Sequence, residues 1–403
     1  MKIAFFTGVF PVLSETFIVN QIIALKHSGH TVHIFAAEKF IGDKIHNEVN
    51  ENELLKDTFY LNEMPSSRLG KIRMLLRALI KNPSGKNLLT LYNTVFKNKG
   101  KLSVYELIHY LNKPEYDVLH AHFGINGNYV TELGKLGLFK QAKFITTFHG
   151  YDLVVEKNFY KQLFNTCDLF TANTLYTKQK LMDIGCPENK IHLLPVGLDT
   201  ALFSRKNVGG KDHHPFNLLF AGRLIALKGP VLFVEICKKL KQNSSVAFKA
   251  VIAGDGELYN ELNALIKNSG LSDEIEMVGE QTQDQIIELM NNADVFILPG
   301  IINGNRAEAQ GLVIQEAQAM ELPVIVSDAG GMKYGLIDGQ TGYVVNENDI
   351  DGFVKKIELL AQDIDLRKRM GKKGRKYVEE NYDSKILNKK LVSIYYGNER
   401  EMN

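Results

Sequence analysis

A chain of 403 residues is longer than one hydrophobic core ordinarily organises, about 250–300 residues, so two domains are expected. With 45% hydrophobic and 23% charged residues and only 10 prolines, it is neither disordered nor collagen-like. The net charge of +2 creates no global field, so nucleic acid is not the expected partner.

Residues 2–6 are a β-branched and aromatic run that meets Thr7-Gly8 and Pro11 too soon for a signal peptide; they read as a first strand, and 8–14 as loop. Apolar residues recur at helical spacing over 17–26, and 31–36 are apolar again, which makes a βαβ unit. Between Arg68 and Lys101 the basic residues Arg68, Lys71, Arg73, Arg77, Lys81, Lys86, Lys97, Lys99 and Lys101 occur without one Asp or Glu. Interleaved with Ile72, Leu76 and Ile80, they read either as basic amphipathic helices for an anionic membrane surface or as a solvated helical face. Short strands follow at 117–121, 143–147, 168–172 and 190–194, and such runs bounded by turns suit parallel strands covered on both faces.

The polar stretch 204–215, with Gly209-Gly210 and His213-His214-Pro215, reads as a linker between domains at 1–203 and 216–380, and 381–403 as a C-terminal helix packing back on the first domain. Beyond the linker, strands at 217–221, 247–253, 274–278, 295–298, 323–327 and 342–345 alternate with helices. The fold class is therefore α/β, with two Rossmann-like, doubly wound parallel sheets; ligands of such sheets sit at the carboxyl ends of the strands, so a cleft between the domains is expected. Cys167, Cys186 and Cys237 form neither a disulfide framework nor a metal knuckle, which suits a reducing cytoplasm. No apolar run approaches the ~20 residues needed to span a bilayer.

Chemistry collects in two strand-to-helix loops. After Leu298-Pro299, Gly311 permits close backbone approach, and the N–H groups of Gln310, Gly311, Leu312 and Val313 at a helix start form an anion site suited to a diphosphate. Glu308 lies in the loop and Glu316 further along the helix, so their carboxylates reach different parts of one extended ligand; otherwise Glu316 is a solvated helix residue, against which Ala317, Ala319 and Met320 speak. The run Phe220-Ala221-Gly222-Arg223 ends another strand, where Arg223 can fork onto phosphate oxygens and Lys228 adds a compact charge.

Gly222-Arg223-Leu224 with Lys228-Gly229, then Ala253-Gly254-Asp255-Gly256-Glu257, Val278-Gly279, and Glu308 ahead of Glu316 together resemble the signature of the GT4 family of retaining glycosyltransferases, which have the GT-B fold. The stretch from Phe10-Pro11 through Ser14-Glu15-Thr16 to Ile18 resembles the colanic-acid, capsule and exopolysaccharide branch. The resemblance implies that Arg223 and Lys228 hold the nucleotide diphosphate, Glu316 the ribose hydroxyls, Glu308 the donor-sugar hydroxyls, and the amides from Gln310 to Val313 the sugar and phosphate. Val278 and Gly279 would lie near the nucleobase, or are plain core and turn. In the first half, Phe148-His149-Gly150-Tyr151-Asp152 is similar to the family's cleft histidine motif, with His149 at the transferred sugar; Ser14, Glu15, Thr16, Tyr151 and Asp152 would meet the acceptor. The implied reaction moves a sugar from UDP- or GDP-sugar to a glycan hydroxyl, lipid-linked by the family's habit, at the inner face of the cell membrane. No cofactor and no metal is required if fixed cations neutralise the leaving group.

Two departures stand out. Gln310 occupies a place where the family has an aromatic residue or Gly, which would make the donor-sugar pocket more polar, and Glu321 replaces a frequent glycine at a helix end, with a local effect on stability. His120 and His122 project from one face of a strand and read as hydrogen-bonded histidines sooner than as metal ligands. Asp152 beside His149 lacks the Gly-x-Ser-x-Gly elbow of acyl chemistry. A nucleotide-sugar epimerase of the same architecture and a glycan-binding module without turnover are the competing readings.

Overall fold

The computed structural model describes residues 1–12, 15–42, 47–63, 65, 67–81, 106–110, 113–206 and 215–397. The described residues form two compact units: one holds Met1–Ala172, Lys178–Leu193 and the chain from Lys390 on, the other Asn173–Thr177 and Leu194–Lys389. The chain thus changes unit after Leu193, ahead of the polar stretch at 204–215, of which 207–214 lie outside the described residues. The helix Ser384–Tyr396 carries the chain back into the first unit.

The first unit is built on seven parallel strands: β1 (Lys2–Phe10), β2 (Thr31–Lys39), β3 (Thr58–Tyr60), β4 (Val118–His122), β5 (Lys143–Phe148), β6 (Leu169–Ala172) and β7 (Ile191–Leu193), in the order β3-β2-β1-β4-β5-β6-β7. β1 runs on through residues read from sequence as loop, because Val9 and Phe10 still pair with Glu38 and Lys39 of an equally long β2. β3 escapes a reading by pattern, being a three-residue edge strand. Side chains alternate across this sheet. Ala4, Phe6 and Ala121 join the core that includes Val130 and Leu133 of helix Gly124–Lys135, where a side chain on Gly127 would collide with Leu163 and Thr146 at 2.8 Å. The intervening Phe5 packs instead against the rings of His120 and His122.

In the second unit, β8 (Phe216–Ala221), β9 (Phe248–Ala253), β10 (Ile275–Gly279), β11 (Val295–Leu298), β12 (Val324–Ser327) and β13 (Gly342–Val345) lie parallel in the order β10-β9-β8-β11-β12-β13. The order reverses between β8 and β11, the switch point at which doubly wound sheets take their ligands. The loops after those two strands carry Arg223, Lys228 and Glu308, and the helix that follows the second carries Glu316. Strand interiors are almost wholly apolar, with Leu218, Phe220, Phe296, Ile297 and Ile325 buried, as expected for strands covered on both faces.

Helix Arg68–Lys81 belongs to the basic stretch; Lys86, Lys97, Lys99 and Lys101 lie outside the described residues. On it Leu69 and Ile80 are 80% and 77% exposed, with Leu76 also exposed, at helical spacing among Lys71, Arg73 and Arg77. Among the described residues no helix is long and apolar enough to cross a membrane.

Candidate active site

In the second unit, the turn after β8 is shaped by close backbone packing. Leu224 N–H donates to Asp255 O at 2.9 Å and Leu258 N–H to Leu224 O at 3.1 Å. A Cβ on Gly254 would lie 1.9 Å from Gly222 O, so the Gly-Asp-Gly-Glu run is a backbone fit that frames Arg223. The Arg223 side chain is exposed and makes no hydrogen bond or ion pair among the described residues. Gly229, left-handed at φ 70°, would place a Cβ 1.8 Å from Pro299 O, and Ile301 N–H donates to Leu227 O at 3.1 Å. The turn carrying Lys228 is thereby locked against the loop after β11.

Lys228 Nζ forms an ion pair with Glu308 Oε2, the two side chains being 13% and 16% exposed. Glu308 Oε1 also accepts the N–H of Gly311 at 3.1 Å. Burial pushes the Glu308 carboxyl up, but the Lys228 charge and hydrogen bond and the N–H groups of Gln310 and Gly311 outweigh it and hold the group below its ordinary range. Two of the four amides expected to cradle a diphosphate are therefore engaged by Glu308. Leu312 and Val313, as the first residues of helix Leu312–Ala319, keep N–H groups without an intrahelical acceptor. Glu316 stands among the buried Ala317, Ala319 and Met320, and burial raises its carboxyl to about 7 against the opposing charge of Lys228.

Gln310 departs from expectation. Its side chain is buried, with Oε1 accepting Val196 N–H at 2.8 Å and Nε2 donating to Val196 O at 2.9 Å, so the amide is spent on backbone and adds no polarity to a sugar pocket. Val278 O accepts Gln281 Nε2 at 2.6 Å and Gly279 O accepts Gly254 N–H at 2.8 Å, the hydrogen bonds of a strand-end turn. Sequence reasoning overlooked Gly330 and Gly331: Gly331 N–H donates to Glu308 O at 2.7 Å, and a Cβ there would lie 1.8 Å from Ala309 O. The signal was present in the Gly-Gly pair shortly after the strand 323–327. Thr174, whose hydroxyl donates to Ala309 O at 2.8 Å from 135 residues away, left no such signal.

The first unit gathers a second group of candidates. His122 Nδ1 lies 3.1 Å from His149 Nε2 with the rings stacked, while His120 meets Tyr395 Oη at 2.6 Å and Thr147 Oγ1 at 2.7 Å. Burial lowers His120 and His149 to about 3, so both rings are neutral near pH 7. Phe17 and Phe123 pack on the His149 ring at centroid distances of 4.6 Å, and Phe123 also contacts Tyr151. Asp152 is engaged by backbone: Oδ1 accepts the N–H groups of His149 (3.1 Å) and Gly150 (2.9 Å), and Oδ2 that of Gly124 (3.0 Å), so a buried carboxylate fastens the His149 turn. Glu15 precedes helix Thr16–His27, and burial raises its carboxyl to about 7; Ser14 lies outside the described residues. Among the described residues no three His, Cys, Asp or Glu side chains are grouped as metal ligands.

Residues 14–202 match the family model described as Glycosyltransferase Family 4, and residues 204–377 the one described as Glycosyl transferases group 1. A relative in Salmonella typhimurium named for colanic acid biosynthesis, WcaL, is 30% identical over 98% of this chain and 99% of its own. The amylovoran biosynthesis glycosyltransferase AmsK of Erwinia amylovora is 30% identical over 90% of this chain and 91% of its own. The structure of HepE from Anabaena, solved in complex with UDP, superposes with a TM-score of 0.71 over 98% of this chain and all of that one at 15% identity, which establishes a common fold. With both halves matched in order and relatives aligned from end to end, the chain belongs to glycosyltransferase family 4 and is a glycosyltransferase of GT-B fold.

Proposed function

We propose that the enzyme moves a sugar from a UDP- or GDP-sugar to a hydroxyl of a lipid-linked surface-polysaccharide intermediate, with retention of configuration, at the inner face of the cell membrane. The observation that carries this reading is the Lys228–Glu308 pair at the switch point of the second sheet, beside a helix start with free N–H groups. An anionic leaving group suits that position: Arg223, Lys228 and the amides of Leu312 and Val313 neutralise the diphosphate as the C1–O bond breaks and its electrons pass to phosphate. Glu308 accepts hydrogen bonds from the sugar hydroxyls and Glu316 from the ribose. The departing phosphate takes the proton of the acceptor hydroxyl on the same face of the sugar, so no covalent nucleophile and no metal are needed. His149, neutral and packed by Phe17 and Phe123, would contact the transferred sugar.

The names of the two relatives support a polysaccharide pathway, and the UDP complex of HepE supports a uridine donor. Exposed Leu69, Leu76 and Ile80 among basic residues support docking of helix Arg68–Lys81 on anionic lipid. A thermal-shift panel of UDP-, GDP- and ADP-sugars tests the donor, because a ligand that binds only the native state raises its stability. Free nucleoside diphosphate released only when an acceptor is present confirms transfer, and release without acceptor contradicts it.

A further inference from the structure

The backbone around Glu308 is held from several sides. Gly331 N–H binds Glu308 O, the Thr174 hydroxyl binds Ala309 O, the N–H groups of Gln310 and Gly311 bind the Glu308 carboxylate, and the Gln310 side chain brackets both backbone groups of Val196. Two of these anchors come from far away in sequence: Thr174 follows β6 and Val196 follows β7. Each anchor is itself fixed. Thr174 Oγ1 accepts Thr177 N–H at 3.2 Å, and Thr177 Oγ1 donates to Asn173 Oδ1 at 2.6 Å. Gln310 Nε2 also lies 3.3 Å from Gln315 Oε1, and the fully buried Gln315 and Gln318 both donate to Gly335 O.

This investment exceeds what a surface loop needs, since exposed loop backbone can be satisfied by water. A buried glutamine with both amide atoms matched to one residue's N–H and C=O also fixes orientation, because rotation of the amide would set donor against donor. We propose that Gln310 and Thr174 are positioning residues, which set the place of the Glu308 carboxylate by fixing the backbone of residues 308–310 without touching substrate. The proposal rests on the reading of Glu308 as the residue at the donor sugar.

Three variants separate positioning from folding. Thr174→Val removes only the hydroxyl, Thr174→Ser keeps it, and Gln310→Met retains side-chain volume without the hydrogen bonds to Val196 and Gln315. Calorimetric binding of UDP and GDP alone is compared with turnover of the sugar nucleotide that the donor panel identifies. Thr174→Val and Gln310→Met are expected to lower kcat about tenfold, as a displacement well under 1 Å can do. Binding of the free diphosphate, held by Arg223 and Lys228, should stay within about twofold of wild type. Thr174→Ser should restore kcat. Unchanged kcat in both disrupted variants, or loss of diphosphate binding in step with kcat, overturns the proposal. Failure of the wild type to bind either diphosphate removes the donor reading and this proposal with it, whereas intact binding with unaffected variants removes the proposal alone.

Discussion

Lys228 and Glu308, on the loops after β8 and β11, share one ion pair at the point where the strand order of the second sheet reverses. Each keeps the other's charge tolerable in a mostly buried place, since an isolated buried carboxylate is strongly disfavoured. Removing Lys228 therefore does more than delete the proposed phosphate contact. It leaves Glu308 with its burial less opposed, and the carboxyl moves up. Lys228→Met should lower the melting temperature, and adding Glu308→Gln should recover part of that loss without recovering transfer. Differential scanning calorimetry of the single and double variants checks this, and strictly additive losses would show that the two charges are not coupled.

Glu316 gives a pH dependence with a definite sign. Its carboxyl is raised from 4.5 to about 7 in the folded protein, so the native state holds the proton more tightly than the unfolded chain. The associated stability is present in full below 4.5 and is lost as pH rises through about 7. Glu316→Gln should remove this loss, so the variant gains stability relative to wild type between pH 5 and pH 8. With Glu316 at the ribose as proposed, donor affinity of the wild type should rise over the same window as the carboxylate ionises. Parallel melting curves for the two proteins across that range would contradict the assignment.

Glu321, which stands where the family frequently has glycine, adopts a left-handed backbone at φ 57°. An L-residue there carries strain that glycine avoids, partly offset by the entropy glycine adds to the unfolded chain. Glu321→Gly should stabilise the protein by ~0.5–1 kcal/mol without altering transfer kinetics. A lower melting temperature in the variant would count against the strain.

The basic helix Arg68–Lys81 offers a test in the first unit. Replacing Lys71, Arg73, Arg77 and Lys81 with Glu should abolish sedimentation with anionic vesicles and leave transfer to a short soluble acceptor intact. Each cation near such a surface contributes about 1 kcal/mol, so raised salt should mimic the variant. Undiminished sedimentation would return this helix to a solvated face.

How far the sequence reveals all this depends on the kind of signal. The strands of both sheets stand out because fully covered parallel strands are continuous apolar runs, as in Val295–Leu298 and Gly342–Val345. Arg223, Lys228, Glu308 and Glu316 are legible because their loops sit at strand ends flanking one switch point. What sequence cannot show is where a side chain spends its hydrogen bonds. Gln310 reads as pocket polarity until Val196, 114 residues away, takes both its amide atoms. Asp152 reads as an acceptor contact until three backbone N–H groups claim its oxygens. The change of unit after Leu193 is marked only by the short Pro195-Val196-Gly197 run, which the longer polar stretch at 204–215 overshadows.

On the proposed function, Arg223, Lys228 and the start of helix Leu312–Ala319 form a metal-independent site for a nucleoside diphosphate. Calorimetric titration of UDP and GDP in buffer containing EDTA, with wild type, Arg223→Ala and Lys228→Ala, tests it most directly. Saturable binding of one of the two diphosphates by the wild type and at least ~10-fold weaker binding by each variant are expected, because a charge-assisted contact to phosphate contributes roughly 1.5–3 kcal/mol. Binding that requires Mg²⁺ or Mn²⁺, or wild-type affinity in both variants with the fold intact, would contradict it.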